Sequence, residues 1–188
     1  MTHRSMNADD WKSRHRSFYY ETAGDSGPVI IDRSRCALLI IDVQNMYVDR
    51  PPLESIKTES ERREWLRWNP FHDRMGNIVL PNIQKALAFF RERKMEVLFA
   101  RIACLTQNGR DRSLRQKMPG FNNLLMPVNS HEAQIASEIS PRDDEIVVAK
   151  TTDSALTGTH LRLALHNIGI RHVAVCGVFT DQCISSTV

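Results

Sequence analysis

Three residues far apart in the chain, Asp42, Lys150 and Cys183, each follow a short apolar run of the kind that makes a buried strand. Cys36-Ala-Leu-Leu-Ile-Ile runs into Asp42, and Ile146-Val-Val-Ala149 runs into Lys150. Val173-Ala-Val-Cys176 is broken by Gly177 before Thr180, Asp181 and Cys183. In a parallel sheet these ends share one edge, the edge where open α/β sheets bind ligands. A thiol, a carboxylate and an ammonium together suit nucleophilic attack on a carbonyl. Cys183 attacks as a thiolate, and Asp42 takes its proton and later returns it to a leaving amine. Lys150 balances the charges nearby. Thr180 and Asp181 are helix-capping types, which puts Cys183 in a first helical turn, where the dipole and unpaired N–H groups favour thiolate over thiol. Backbone N–H groups at that helix start would hold the developing oxyanion.

The elements that must position these groups alternate in type. Residues 36–42 and 95–103 are the first two strands, and between them Asn77 to Lys94 has the apolar period of a helix, with Pro81 acceptable only in its first turn. The run ESERREWLRW, within a charged segment from 50 to 75, is also helical in pattern, with Trp65 and Trp68 on one face. A short helix is expected over His131–Ile139, closed by Pro141. Another is expected to start at Ser154 and end before Gly169. Strand, helix and strand in this order predict a three-layer α/β/α Rossmann-like fold with a mainly parallel sheet. Residues 1–34 are expected to form an N-terminal arm with an aromatic cluster, Phe18-Tyr19-Tyr20, and Val29-Ile30-Ile31 as a short edge strand. Residues 35–188 form the domain.

Composition narrows the function classes. A chain of 188 residues is long enough for one substantial core, and its net charge of +3 is too mild to argue for nucleic acid. No apolar run approaches the roughly 18 residues needed to span a bilayer, and the first residues lack a signal-peptide core. A cytoplasmic location and no membrane partner are the expectation. Cys36, Cys104, Cys176 and Cys183 show no CxxC pair. Cys36 and Cys176 belong to apolar strands, where free cysteine acts as a small hydrophobe, and Cys104 stays open. The stretch 104–130 has no clear period, and its basic residues either are solvated or attract an anionic substrate group.

The motifs ALLIIDVQNMY at 37–47, VVAKTTDSALTGTHLRLAL at 147–165 and GIRHVAVCGVFTDQCISST at 169–187 resemble the isochorismatase-like cysteine hydrolase superfamily. That superfamily includes nicotinamidases, N-carbamoylsarcosine amidase, and ureidoacrylate and biuret hydrolases. The resemblance implies the same roles for Asp42, Lys150 and Cys183, and a cis peptide in the Gly177-Val178-Phe179 turn. It also implies an oxyanion hole from the backbone N–H groups of Phe179 and Cys183, with Tyr47 and Phe179 in the substrate pocket. The implied function is cysteine-dependent hydrolysis of C–N bonds in small amides, ureides or carbamoyl compounds, by a homo-oligomer (dimer or tetramer) without a cofactor. Nicotinamidases place metal-binding histidines just after the second strand. Here no histidine occurs between His72 and His131, and His160 and His166 lie off one helical face, so no metal is expected. Isochorismatases proper cleave a vinyl ether and lack the cysteine, so that activity is the alternative, beside a catalytically silent ligand- or partner-binding member. Family members continue past the cysteine helix, so the domain is expected to lack its C-terminal part.

Overall fold

The computed structural model describes residues 17–23, 30–120 and 123–188. Its centre is strand β1 (Cys36–Ile41), six consecutive buried residues. An unbroken apolar run of this kind suits a strand covered on both faces. It pairs in parallel with β2 (Glu96–Ile102) on one side and β4 (His172–Gly177) on the other, and β3 (Ile146–Lys150) adds outside β2. Among the described residues the sheet order is β3-β2-β1-β4. Alternate residues of β1 face opposite layers. Leu38 and Ile40 pack with Ile83, Leu87 and Phe90, whereas Ala37, Leu39 and Ile41 pack with Val148, Leu161 and Cys183. Each such side chain contributes about 1.5–3 kcal/mol by burial.

The first layer is built by a helical rod. Helix α1 (Glu59–Arg74) starts at a capping box in which Glu61 N–H donates to Thr58 Oγ1 (3.2 Å) and Thr58 N–H donates to Glu61 Oε2 (2.9 Å). A π-turn, Met75–Val79, joins it to α2 (Leu80–Glu92). The helix expected from Asn77 is therefore the continuation of a longer one. Pro81 has no N–H to give to the preceding turn, and the wider π-turn, closed by Leu80 N–H donating to Met75 O, takes up the mismatch. Only α2 buries a full apolar stripe. Helix α1 buries no residue.

Three other expectations change. No helix forms at 131–139; the one helical piece there is a 3-10 turn at Ser137–Ile139. The backbone of this segment is committed to the loop after β1: Asn45 N–H donates to Gln134 O (2.9 Å) and Ala136 N–H donates to Val43 O (3.0 Å). Helix α3 (Leu161–Ile168) starts seven residues after Ser154. Before it, Gly158 takes a φ of 70° and Thr159 Oγ1 donates to Ala155 O (2.6 Å), both turn features. Strand β4 is not buried on both faces. It has β1 as its one strand neighbour among the described residues, and Val173 is 38% exposed.

Ile30 and Ile31 form no strand, and Val29 lies outside the described residues. Residues 1–16 and 24–29 of the expected arm also lie outside them. Residues 18–20 make a 3-10 turn in which Ser17 Oγ accepts from Tyr19 N–H (3.3 Å). No helix among the described residues is long and apolar enough to cross a membrane.

Gly177 closes β4 at a φ of 133°, and a Cβ on it would lie 2.0 Å from Ile41 O. Neither the dihedral nor the β1 backbone tolerates a side chain. Gly177→Ala is expected to lose on the order of 3 kcal/mol or more, measured by urea unfolding. A loss within about 0.5 kcal/mol, the usual surface effect, would show that β1 and β4 separate easily here.

Candidate active site

Asp42, Lys150 and the turn to Cys183 all leave the C-terminal ends of parallel strands. Cys183 and Asp42 stand where the strand order reverses between β1 and β4, the usual ligand crevice of an open sheet. Lys150 is two strands from β1, about 9–10 Å away at ordinary strand spacing. Its long side chain crosses over β2, and its ammonium lies 2.8 Å from Asp42 Oδ2. The same Nζ donates to Cys183 Sγ (3.2 Å) and to Thr152 O (3.2 Å). An ammonium has three donors, and all three find acceptors here. The structure thus brings the three sequence-predicted residues into direct contact. All are buried, with Asp42 2% and Lys150 1% exposed.

Burial sets the protonation states. Desolvation raises the Asp42 pKa above the usual carboxylate range, while the Lys150 charge and the nearby Cys183 thiol pull it down. Asp42 Oδ1 has no hydrogen-bond partner. Desolvation, then the Asp42 charge, push the Cys183 thiol up to about 12 against the pull of Lys150. This corrects the expectation of a standing thiolate at a helix start. Cys183 lies buried in a five-residue π-turn, Thr180–Ile184, which is preceded by Phe179 without any side-chain cap. Burial thus favours the thiol over the thiolate, and a base beside it would offset that cost.

The turn before Cys183 contains a cis peptide between Val178 and Phe179, the bond that the resemblance implies. Val178 N–H donates to Ile41 O (3.0 Å), which ties the turn to the end of β1. Asp42 sits one residue further on, at a φ of 54°. Such a left-handed non-glycine residue persists only where its surroundings hold it. Asp42 N–H donates to Ala100 O (2.9 Å), so β2 supplies part of that hold.

Gln44 supplies the rest, a role that no spacing in the sequence signals. Its side chain is fully buried, accepts from Ile102 N–H (2.8 Å), and donates to Ile102 O (2.9 Å) and Ala133 O (3.0 Å). One amide fastens the end of β1 to the end of β2 and to the 131–136 loop.

A cleft of about 1080 Å³ opens beside the triad. Tyr47 and Phe179 line it, with ring centroids 5.2 Å apart, and Phe71 follows at 5.4 Å from Phe179. None of the three triad residues lines the cleft itself. The Tyr47 pKa is raised by burial and then by the charges of Asp42 and Cys183, so this cleft ring is also near those two residues. Trp68 and Phe71 reach the cleft from α1, a contribution that the Trp65/Trp68 spacing alone did not signal. The basic stretch from Arg101 to Lys117 gives the cleft no lining residue. Cys36 and Cys104 are buried, whereas Cys176 is only half-buried on the edge strand; desolvation raises its pKa to about 11. No group of three or more His, Cys, Asp or Glu side chains able to hold a metal converges among the described residues.

The chain matches the Isochorismatase domain family over residues 36–188. It therefore belongs to the isochorismatase family, and with it to the isochorismatase-like hydrolases its motifs resemble. Solved structures share the fold. A cysteine hydrolase from Pseudomonas syringae pv. phaseolicola superposes with a TM-score of 0.64 at 20% identity, over 87% of this chain and 70% of that one. An isochorismatase family protein from Desulfovibrio vulgaris gives 0.59 at 26% identity, over 81% and 72%. N-carbamoylsarcosine amidase from Thermoplasma acidophilum gives 0.56 at 19% identity, over 81% and 73%.

Two outcomes follow from the buried charges. Removing the Asp42 charge makes the Cys183 thiolate less costly, so Asp42→Asn should lower the pKa for alkylation of Cys183 by iodoacetamide. Rate against pH with peptide mapping measures it, and an unchanged or raised pKa would contradict this electrostatic account. Lys150→Met leaves Asp42 buried without its partner, which should cost about 3–5 kcal/mol at neutral pH. The Asp42 pKa, already raised by burial, then rises further above its unfolded value. Stability in this variant is best in acid, below the unfolded carboxylate pKa, and is lost as pH rises from there through the raised folded value. Urea midpoints at several pH values would expose the opposite slope.

Proposed function

We propose that the protein hydrolyses the C–N bond of amides, ureides or carbamoyl compounds through a thioester acyl-enzyme on Cys183. The observation that carries this reading is the Cys183 thiol held in contact with the Lys150 ammonium, itself paired to Asp42. In this mechanism the thiol proton passes to Asp42 as Sγ attacks the carbonyl carbon. Asp42 Oδ1, which has no other partner, is the oxygen available to receive it. The backbone N–H groups of Phe179 and Cys183 hold the oxyanion of the tetrahedral adduct. On collapse the C–N bond breaks, and Asp42 returns the proton to the leaving nitrogen.

Water then replaces the amine. Asp42 takes a proton from it, hydroxide adds to the thioester carbonyl, and the C–S bond breaks. The acid leaves and the thiol is restored, so the net reaction consumes one water. Lys150 keeps its place throughout as the charge that makes both the carboxylate and the developing thiolate tolerable in a buried site.

The test uses a panel of amides, ureides and carbamoyl compounds assayed for ammonia or amine release. Cys183→Ala should lose all measurable turnover while keeping its circular dichroism spectrum. Asp42→Asn should lose about 10²–10⁴ in rate, the usual value of a positioned proton shuttle. Rapid acid quench of the parent enzyme should trap a mass increment on the Cys183 peptide equal to the acyl group. Turnover that survives in Cys183→Ala would instead favour chemistry in which Asp42 alone moves the proton.

A further inference from the structure

The cleft beside the triad has features that a small neutral amide does not require. At about 1080 Å³ it is at the top of the range for drug-sized ligands, roughly 300–1,000 Å³. Its rings form a continuous row leading away from the cysteine turn. Tyr47 meets Phe179, Phe179 meets Phe71, and Phe71 meets Trp68 at 5.5 Å. Trp68, the outermost, is 44% exposed. Aromatic faces carry negative charge density and attract cations, tryptophan most strongly.

The ionised groups of the lining point the same way. Asp49, Glu132 and Asp181 contribute carboxylates, and Arg50 is the one guanidinium among the described lining residues. Arg50 is already engaged. It donates to Asp73 Oδ1 (2.9 Å) and to Asn69, and it stacks over Trp65 at 4.3 Å. His72 is held below its usual pKa range by burial and by Arg50, so it adds no charge near neutral pH. His131 Nε2 lies 2.7 Å from Asp49 Oδ2 and is engaged there. Glu132 and Asp181 remain without an ion-pair partner among the described residues. An anionic substrate would meet acids and no unengaged base.

We propose that the substrate carries, beyond the scissile C–N bond, a positively charged group seated against the aromatic row of the cleft and the carboxylates that line it. The substrate class is thus a cationic amide or ureide, such as one bearing a quaternary or protonated amine, rather than an N-carbamoyl amino acid. This rests on reading the cleft as the way to Cys183. The scissile carbonyl would enter past Tyr47 and Phe179 while the cation stays at the outer rings.

Binding of probes that cannot be hydrolysed tests the charge preference apart from the chemistry. Calorimetry with the unmodified protein compares benzyltrimethylammonium with benzoate, which share a ring and differ in charge. The cation should bind at least about fivefold tighter, as expected for a cation held by aromatic faces and acids. Trp68→Ala should weaken the cation, and Glu132→Gln with Asp181→Asn should erase the difference between the probes. Benzoate binding as tightly as the cation, or no cation binding at millimolar concentration, overturns the inference even if amides are turned over. Conversely, the expected probe order with no hydrolysis of matched cationic and anionic amides would leave this inference standing and sink the hydrolytic reading.

Discussion

The ion pair between Lys150 and Asp42 is the interaction on which the site depends. Two opposite charges lie under a closed surface, where each alone would be costly. Their attraction repays the desolvation only when the geometry is good and the remaining polar atoms are satisfied. The lysine meets that condition with its third donor on Thr152 O. The carboxylate meets it on one oxygen only, because Oδ1 has no partner. Such an unmet buried acceptor is a stability cost, and it sits on a residue within the Lys150 and Cys183 cluster. The fold thus keeps the site poised rather than fully relaxed.

Holding a pair of this kind requires a rigid frame, and the sheet supplies it by stacking apolar layers on both sides of β1. Polar reinforcement is needed just past the strand ends, where the backbone stops making ladder bonds. Gln44 does this with a single amide that answers both the N–H and the C=O of Ile102 and also the Ala133 carbonyl. That answer explains why the 131–139 segment gives up a helix. Its carbonyls and amides are worth more as partners for the β1 loop, and a helix there would leave the loop's own groups unpaired beneath the surface.

How much of this was legible in the sequence depends on the range of the interaction. The four strands were, because runs such as ALLII and IVVA have no other stable place than a buried sheet. The three chemical residues were legible as strand-end residues, since parallel strands put their ends together by geometry. The state of Cys183 was not. A capping pattern suggested an activated thiol, but the cysteine lies in a buried π-turn, where desolvation outweighs the help from Lys150. The joined helix 59–92 was hidden because Pro81 normally starts a helix, and a π-turn leaves no mark in the apolar period. The cleft wall was hidden for another reason. Phe71, which carries Trp68 beside it, meets Phe179 across more than a hundred residues, and no local spacing encodes that meeting.

That last point separates two jobs in the molecule. Asp42, Lys150 and the turn to Cys183 come from strand ends that cannot shift without breaking the sheet. The groups that would choose a substrate come partly from loops and partly from α1, which buries no residue and joins the core through α2. Phe71 still packs against the cluster that holds Leu38 and Ile40, but Trp68 is 44% exposed and can change with little effect on the packing of β1. Chemistry is therefore constrained by the core more tightly than recognition is. A chain with this triad can differ from its relatives in what it accepts while keeping how it acts.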